Sequence, residues 1–190
     1  MENKSKDKLL ICDLDGTLFD TRKVNYMAYK QALEAAGLEV SFDYDKYLKD
    51  CWGPSYREFF PIMGVPKERF EEVHDLKKTF YEPNLKYAKE NIHLFQIIEA
   101  MRATYHTAVV TSGSRNAKDI LRYFGRYDLF DLIITLDDVE RGKPDPEGFF
   151  KAMEYFGVTK ENTLIFEDSA VGLAAARETG ASICLIDDFR

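Results

Sequence analysis

Leu9-Leu10-Ile11-Cys12-Asp13-Leu14-Asp15-Gly16-Thr17-Leu18 is an apolar run that stops abruptly at two aspartates and a glycine. A short apolar run bounded by a turn signal reads as a buried strand. The strand ends in the aspartates, and residues two apart leave a strand on the same side. Asp13 and Asp15 would then both face the end of the sheet. Carboxylates this close repel, so a cation or a proton has to relieve them. A plain Asp-Gly turn accounts for the same residues without any chemistry.

Four more runs resemble the first: Thr107–Val110, Leu132–Thr135, Leu164–Phe166 and Ile183–Ile186. From the second onward, helical spacings separate them. Ala117, Ile120, Leu121 and Phe124 fall on one helix face, as do Phe149, Ala152, Met153 and Phe156. Ile98, Met101 and Tyr105 form a similar stripe ahead of the second run. Buried strands alternating with amphipathic helices predict an α/β fold, a parallel sheet covered on both faces. The first gap is too long for a single crossover helix. Residues 19–92 hold helical stretches at Val24–Ala35 and Val73–Phe80, with no clear strand. They are expected to form a helical cap with a small core of its own, inserted into a core domain of residues 1–18 and 93–190.

Three other strand ends carry chemistry-bearing residues. After the second comes Thr111-Ser112-Gly113-Ser114-Arg115-Asn116, where hydroxyls and a glycine precede a helix. Such a start can hold an anion on backbone amides; capping by Ser114 is the simpler account. Next is Gly142-Lys143-Pro144-Asp145-Pro146. Asp145 suits an N-cap and Pro146 the first helical position, which leaves Lys143 without a structural reason. The fourth strand runs into Glu167-Asp168-Ser169. A second acidic pair close to the first would suit a hard cation such as magnesium, while capping by Asp168 or Ser169 is the alternative.

Taken together and in this order, these motifs resemble those of the haloacid dehalogenase-like superfamily. Asp13, Asp15 and Thr17 match its first motif, and Ser112 matches the second, with Thr111 as the other register. Lys143 matches the third, and Glu167 with Asp168 the fourth. Glu167-Asp168-Ser169-x-x-Gly172 resembles the branch that holds β-phosphoglucomutases and sugar-phosphate phosphatases. The resemblance implies a Rossmann-like sheet of strand order 3-2-1-4-5 with a helical cap after the first strand. It implies a magnesium-dependent phosphomonoesterase of a small phosphorylated metabolite. Asp13 would be the nucleophile and Asp15 the acid and base. Ser112 (or Thr111), Gly113 and Lys143 would hold phosphate. Asp13, Asp15, Asp168 and Glu167 would serve the metal, Glu167 in an outer shell and Asp15 through its carbonyl. In the cap, Trp52, Tyr56 and Arg57 are the specificity candidates, although cap-core packing and a solvated helix face account for them too.

β-Phosphoglucomutases have a histidine where this chain has Asn25, which counts against a mutase. Asp15 counts against a dehalogenase. A phosphate-sensing or protein-binding module without turnover, such as a receiver domain, would carry its acceptor aspartate on a later strand and lack the large helical insert; a non-catalytic relative would lack a motif residue, and none is missing. The Pro-Gly common before the second strand's helix is replaced by Asn91-Ile92-His93-Leu94, and the chain ends soon after its fifth strand. His74, His93 and His106 show no grouped metal pattern.

The net charge of −7 argues against nucleic acid as partner. No apolar run suits a membrane span, and Leu9–Cys12 is too short for a signal-peptide core. Three scattered cysteines, of which Cys12 and Cys184 sit in apolar runs, fit buried free thiols and a reducing cytoplasm.

Overall fold

The computed structural model describes residues 6–113, 116–187 and 189. The chain separates into two compact units. One runs through Asp20 and resumes at Glu90; the other spans Thr21–Lys89.

The first unit is built on a five-stranded parallel sheet. Its strands are β1 (Lys8–Cys12), β4 (Tyr105–Val110), β5 (Leu132–Ile134), β6 (Thr163–Glu167) and β7 (Ser182–Leu185). Their spatial order is β5-β4-β1-β6-β7, which by position in the sheet is the expected 3-2-1-4-5. Leu9, Leu10, Ile11 and Cys12 are fully buried, so both faces of the central strand are covered. Leu9 and Ile11 share a core cluster with Val110, Ile134 and Ile165. Helices α7 (Glu147–Phe156) and α8 (Ala170–Thr179) close it with Phe149, Ala152, Met153, Ala175 and Ala176. The other helices of this unit are α5 (Ile92–Met101) and α6 (Asn116–Tyr123). Because β1 lies between β4 and β6, chain connections leave it in opposite directions, and a crevice opens at the carboxyl ends of these strands.

Some local expectations need correction. β1 stops at Cys12, so Asp13 and Asp15 lie in the following loop rather than on a strand face. The Leu14 carbonyl accepts from both Leu18 and Phe19 amides, and Gly16 donates to the Phe19 carbonyl, which folds the loop back on itself. Tyr105 belongs to β4, not to the α5 stripe; it pairs with Lys8. The α5 helix has already ended at Met101, with a turn from the Thr104 amide to the Met101 carbonyl. Helix α7 starts one residue late. Pro146 is the N-cap, and Asp145 accepts the Glu147 amide two residues on at 3.0 Å. Two short strands, β2 (Phe19–Asp20) and β3 (Lys89–Glu90), pair where a strand was not expected. Each is two residues long, below any readable period. The Ser114 cap lies outside the described residues.

The second unit holds α1 (Arg22–Ala35), α2 (Tyr44–Asp50), α3 (Tyr56–Met63) and α4 (Phe70–Tyr81). Its core is larger than its length suggested, because aromatic residues supply it. Tyr29 meets Phe59 and Phe60 edge-on at 5.2 and 5.6 Å, and Phe60 meets Phe70 at 5.3 Å. Tyr26, Tyr47, Met63 and Val73 complete it. Large rings bury much area per residue, which lets a short segment close its own core. Among the described residues, no helix is long and apolar enough to cross a membrane.

Phe19 is fully buried, with its ring 5.3 Å from Phe95 and 5.1 Å from Phe124. Phe19→Ala should therefore cost about 3–5 kcal/mol, read by urea denaturation. A loss below about 1 kcal/mol would show that the core collapses into the gap.

Candidate active site

The carboxyl ends of β1 and β6 and the loop before α7 bring distant residues together. Asp13 follows β1, and its amide still donates to the Phe166 carbonyl of β6 at 2.9 Å. This ladder bond fixes Asp13 beside Glu167 and Asp168. Lys143 reaches in from the loop before α7, and the Lys143–Pro144 peptide is cis. Its ammonium donates to Asp13 Oδ1 and to Glu167 Oε2, both at 2.6 Å. The three side chains are almost wholly buried.

Glu167 is held on every side. Its Oε1 accepts from the Asp168 amide, the Ser169 amide and the Ser169 hydroxyl, while Oε2 takes the lysine. Its carboxylate lies against the first turn of α8, where a Cβ on Gly172 would fall 2.1 Å from it. Only glycine leaves that space. Gly16 does the same for Asp168: its φ is +94°, and a Cβ there would sit 2.2 Å from Asp168 Oδ2. The Thr17 hydroxyl, fully buried, donates to Asp168 Oδ1 at 3.1 Å. Asn91, the α5 N-cap, in turn holds the Thr17 carbonyl at 3.2 Å.

Carboxylate oxygens of Asp13, Glu167 and Asp168 lie within 4.8 Å of one another. Burial, then the charge of Glu167, push the Asp13 carboxyl well above its ordinary value, against the pull of Lys143. Burial and Glu167 push Asp168 up to about 6, although the Thr17 hydroxyl opposes this. Burial alone would lower the Lys143 ammonium, but Asp13 and Glu167 outweigh it and bring it up to about 12. One lysine thus leaves surplus negative charge among buried acids. A hard divalent cation fits such an all-oxygen donor set and would supply the missing charge. With Glu167 committed to Lys143 and Ser169, Asp13 and Asp168 are the carboxylates best placed to reach it.

The other expected residues divide. Asp15 is half-buried and not in the acidic cluster; its Oδ2 lies 3.5 Å from where a Gly113 Cβ would be. Thr111 is buried, and its hydroxyl accepts the Gly113 amide at 3.0 Å, whereas Ser112 is exposed. In the second unit Trp52 packs on the aromatic core, edge-on to Tyr47. Tyr56 stacks on His74 at 3.9 Å and donates to Glu71, which also holds Arg57 at 2.7 Å. His106 stacks on Phe156. Cys12 and Cys51 are buried and Cys184 is half-buried; all three are free. Thr17, Ser169 and Gly172 belong to the matched motifs and Gly16 to the first turn, but the sequence assigns none of them a contact in the site. Their spacing to the acids was visible, but a close approach in space has no signature in one chain.

Residues 10–186 match the family model of haloacid dehalogenase-like hydrolases, and the chain belongs to that family. It is 30% identical over 177 residues to a phosphorylated carbohydrates phosphatase of Thermotoga maritima, covering 90% of this chain and 81% of that protein. It is 31% identical over 180 residues to a validoxylamine A 7'-phosphate phosphatase of Streptomyces hygroscopicus subsp. limoneus, covering 91% and 82%. Among solved structures, a candidate β-phosphoglucomutase of Thermotoga maritima superposes with a TM-score of 0.71 at 28% identity, covering 96% and 88%.

Gly172→Ala should displace the Glu167 carboxylate and destabilise the fold by about 1–3 kcal/mol, read by urea denaturation; an unchanged midpoint would show that α8 yields instead. Asp168 also gives a pH dependence. Its folded value, about 6, lies above the ordinary 3.8, so the metal-free fold loses stability as pH rises between these values. A cation binds the ionised form, so its affinity falls as pH drops below about 6. Magnesium should raise the melting midpoint clearly at neutral pH and much less in acid, measured by scanning fluorimetry. Equal shifts under both conditions would contradict this.

Proposed function

We propose that this chain is a magnesium-dependent phosphomonoesterase that passes the phosphoryl group through Asp13. The family is one of hydrolases, and the phosphatase names of its relatives make the chain an enzyme acting on phosphate monoesters. The single observation that carries the finer reading is the buried Lys143 bridge between Asp13 and Glu167, with the Asp168 carboxylate beside it.

The Asp13 carboxylate attacks phosphorus, a P–O bond forms, and the ester P–O bond breaks. Asp15 gives its proton to the departing alkoxide. Water then attacks the aspartyl-phosphate, Asp15 takes the water's proton, and phosphate leaves with Asp13 restored. Lys143, Ser112 and the Gly113 loop hold the phosphoryl oxygens, and Glu167 keeps Lys143 in place. Asp13 and Asp168, with the Asp15 carbonyl, would hold magnesium, which when bound offsets the charge of phosphate and acids. Thr111 is the less suitable second-motif hydroxyl, since it is buried and engaged with Gly113.

The substrate is a small phosphorylated metabolite, and the carbohydrate phosphates named for the relatives are the first to screen. A sugar phosphomutase is the second reading, favoured by the likeness to the Thermotoga maritima structure. Asn25 opposes it: its amide donates to the Thr21 carbonyl at 3.1 Å, and an amide does not shuttle protons at neutral pH. Free thiols support a cytoplasmic location.

With a generic phosphate ester and magnesium, Asp13→Asn should abolish steady-state hydrolysis. Asp15→Asn should lower it by about 10²–10⁴-fold. EDTA should silence the wild type, and added magnesium should restore it. Activity of Asp13→Asn near the wild-type level would falsify the nucleophile assignment.

A further inference from the structure

Lys143 lies on an irregular loop, and a loop has no ladder to fix a side chain to the precision that chemistry needs. The loop therefore needs an anchor. Helix α7 is itself firmly seated, with Phe149 and Ala152 buried in the sheet core. From its first turn Glu147 reaches back over the loop. One carboxylate oxygen accepts the Glu140 amide at 2.9 Å, and the other accepts the Arg141 amide at 3.0 Å. Its own amide donates to Asp145 Oδ1 at 3.0 Å. The Asp145 amide closes a turn onto the Gly142 carbonyl at 3.0 Å. The segment that carries Lys143 is thus tied on both sides to the start of α7, and the Lys143 ammonium lies 5.1 Å from the Phe149 ring centre.

Helix capping does not explain this use of Glu147. Its carboxylate accepts two consecutive amides of the preceding loop. Lys151, one turn on, pairs with it at 2.8 Å. Lys151 first, then the Glu140 and Arg141 amides, hold the Glu147 carboxyl down to about 2, so the clamp is ionised at any working pH.

We propose that Glu147 is a positioning residue for Lys143, setting where the ammonium meets Asp13 through a bidentate clamp on the Glu140 and Arg141 amides. Its effect on turnover rests on the phosphatase reading, but its effect on the lysine does not. Losing the clamp frees two amides and lets the loop shift, and a misplacement of about 1 Å at a reacting centre can cost about 10²-fold in rate.

The test compares Glu147→Ala, Glu147→Gln and Lys151→Met with wild type in the full chain. Magnesium-dependent hydrolysis is measured well below each melting midpoint. Acetylation of Lys143 by acetic anhydride is followed in parallel by peptide mass spectrometry. Glu147→Ala should lower kcat by about 10²-fold with KM changed far less, and Lys143 should be acetylated faster. Glu147→Gln keeps one accepting oxygen and should lie between; it also serves if the alanine variant does not fold. Lys151→Met should leave kcat and Lys143 protection as in wild type. Unchanged protection of Lys143 in both Glu147 variants would overturn the proposal. So would a Lys151→Met variant that behaves like Glu147→Ala, since Lys151, through its pair with Glu147 and its bond to the Asp138 carbonyl at 2.8 Å, would then be the cause. If wild type hydrolysed no phosphate ester, the phosphatase reading would fail while the acetylation result still decided the clamp.

Discussion

A buried ammonium shared between two buried carboxylates is the constraint on which this site depends. Taking charges out of water costs several kcal/mol each, and only close pairing recovers it. Lys143 meets Asp13 and Glu167 at 2.6 Å each, and Glu167 spends its other oxygen on Ser169 and two amides. Removing Lys143 would leave two buried carboxylates without their counter-charge. The surplus of acid that remains, in Asp168 and Asp13, is then a stored electrostatic demand for positive charge. That demand connects the fold to the chemistry: repulsion among the acids would draw in a cation, whose charge would in turn admit a phosphate ester.

The sheet makes this possible by topology. Residues 13, 143 and 167 lie far apart in the chain, yet β1 and β6 are neighbours in register, with Cys12 beside Phe166. The loops that leave them are adjacent by necessity. Two glycines then allow the acids to come close: Gly16 gives way to Asp168, and Gly172 to Glu167. Thr17 links the first loop to the last acid directly.

Much of this was legible in the sequence, for identifiable reasons. Apolar runs such as Leu9–Cys12 are unambiguous because both faces of a central parallel strand are buried. The strand order came from resemblance, since periodicity carries no information about which strands are neighbours. Features shorter than a period were missed: the two-residue strands β2 and β3, and the late start of α7, where Pro146 is the N-cap and Asp145 accepts the Glu147 amide. The stripe through Tyr105 misled because three spaced residues fit a helix that had already ended at Met101. Thr17 and Gly172 stand out in one dimension only as motif members; their contacts with Asp168 and Glu167 are distances that a sequence does not give. In the second unit, Tyr56 and Arg57 share Glu71 as a partner, so either would have to leave that carboxylate to bind a ligand.

The central claim is that the phosphoryl group rests on Asp13. It is tested most directly by quenching the enzyme during turnover, reducing the acyl phosphate with borohydride, and mapping the product by peptide mass spectrometry. The expected result is homoserine in place of Asp13 and at no other acidic residue. Reduction at another carboxylate, or at none while substrate is being consumed, would contradict it.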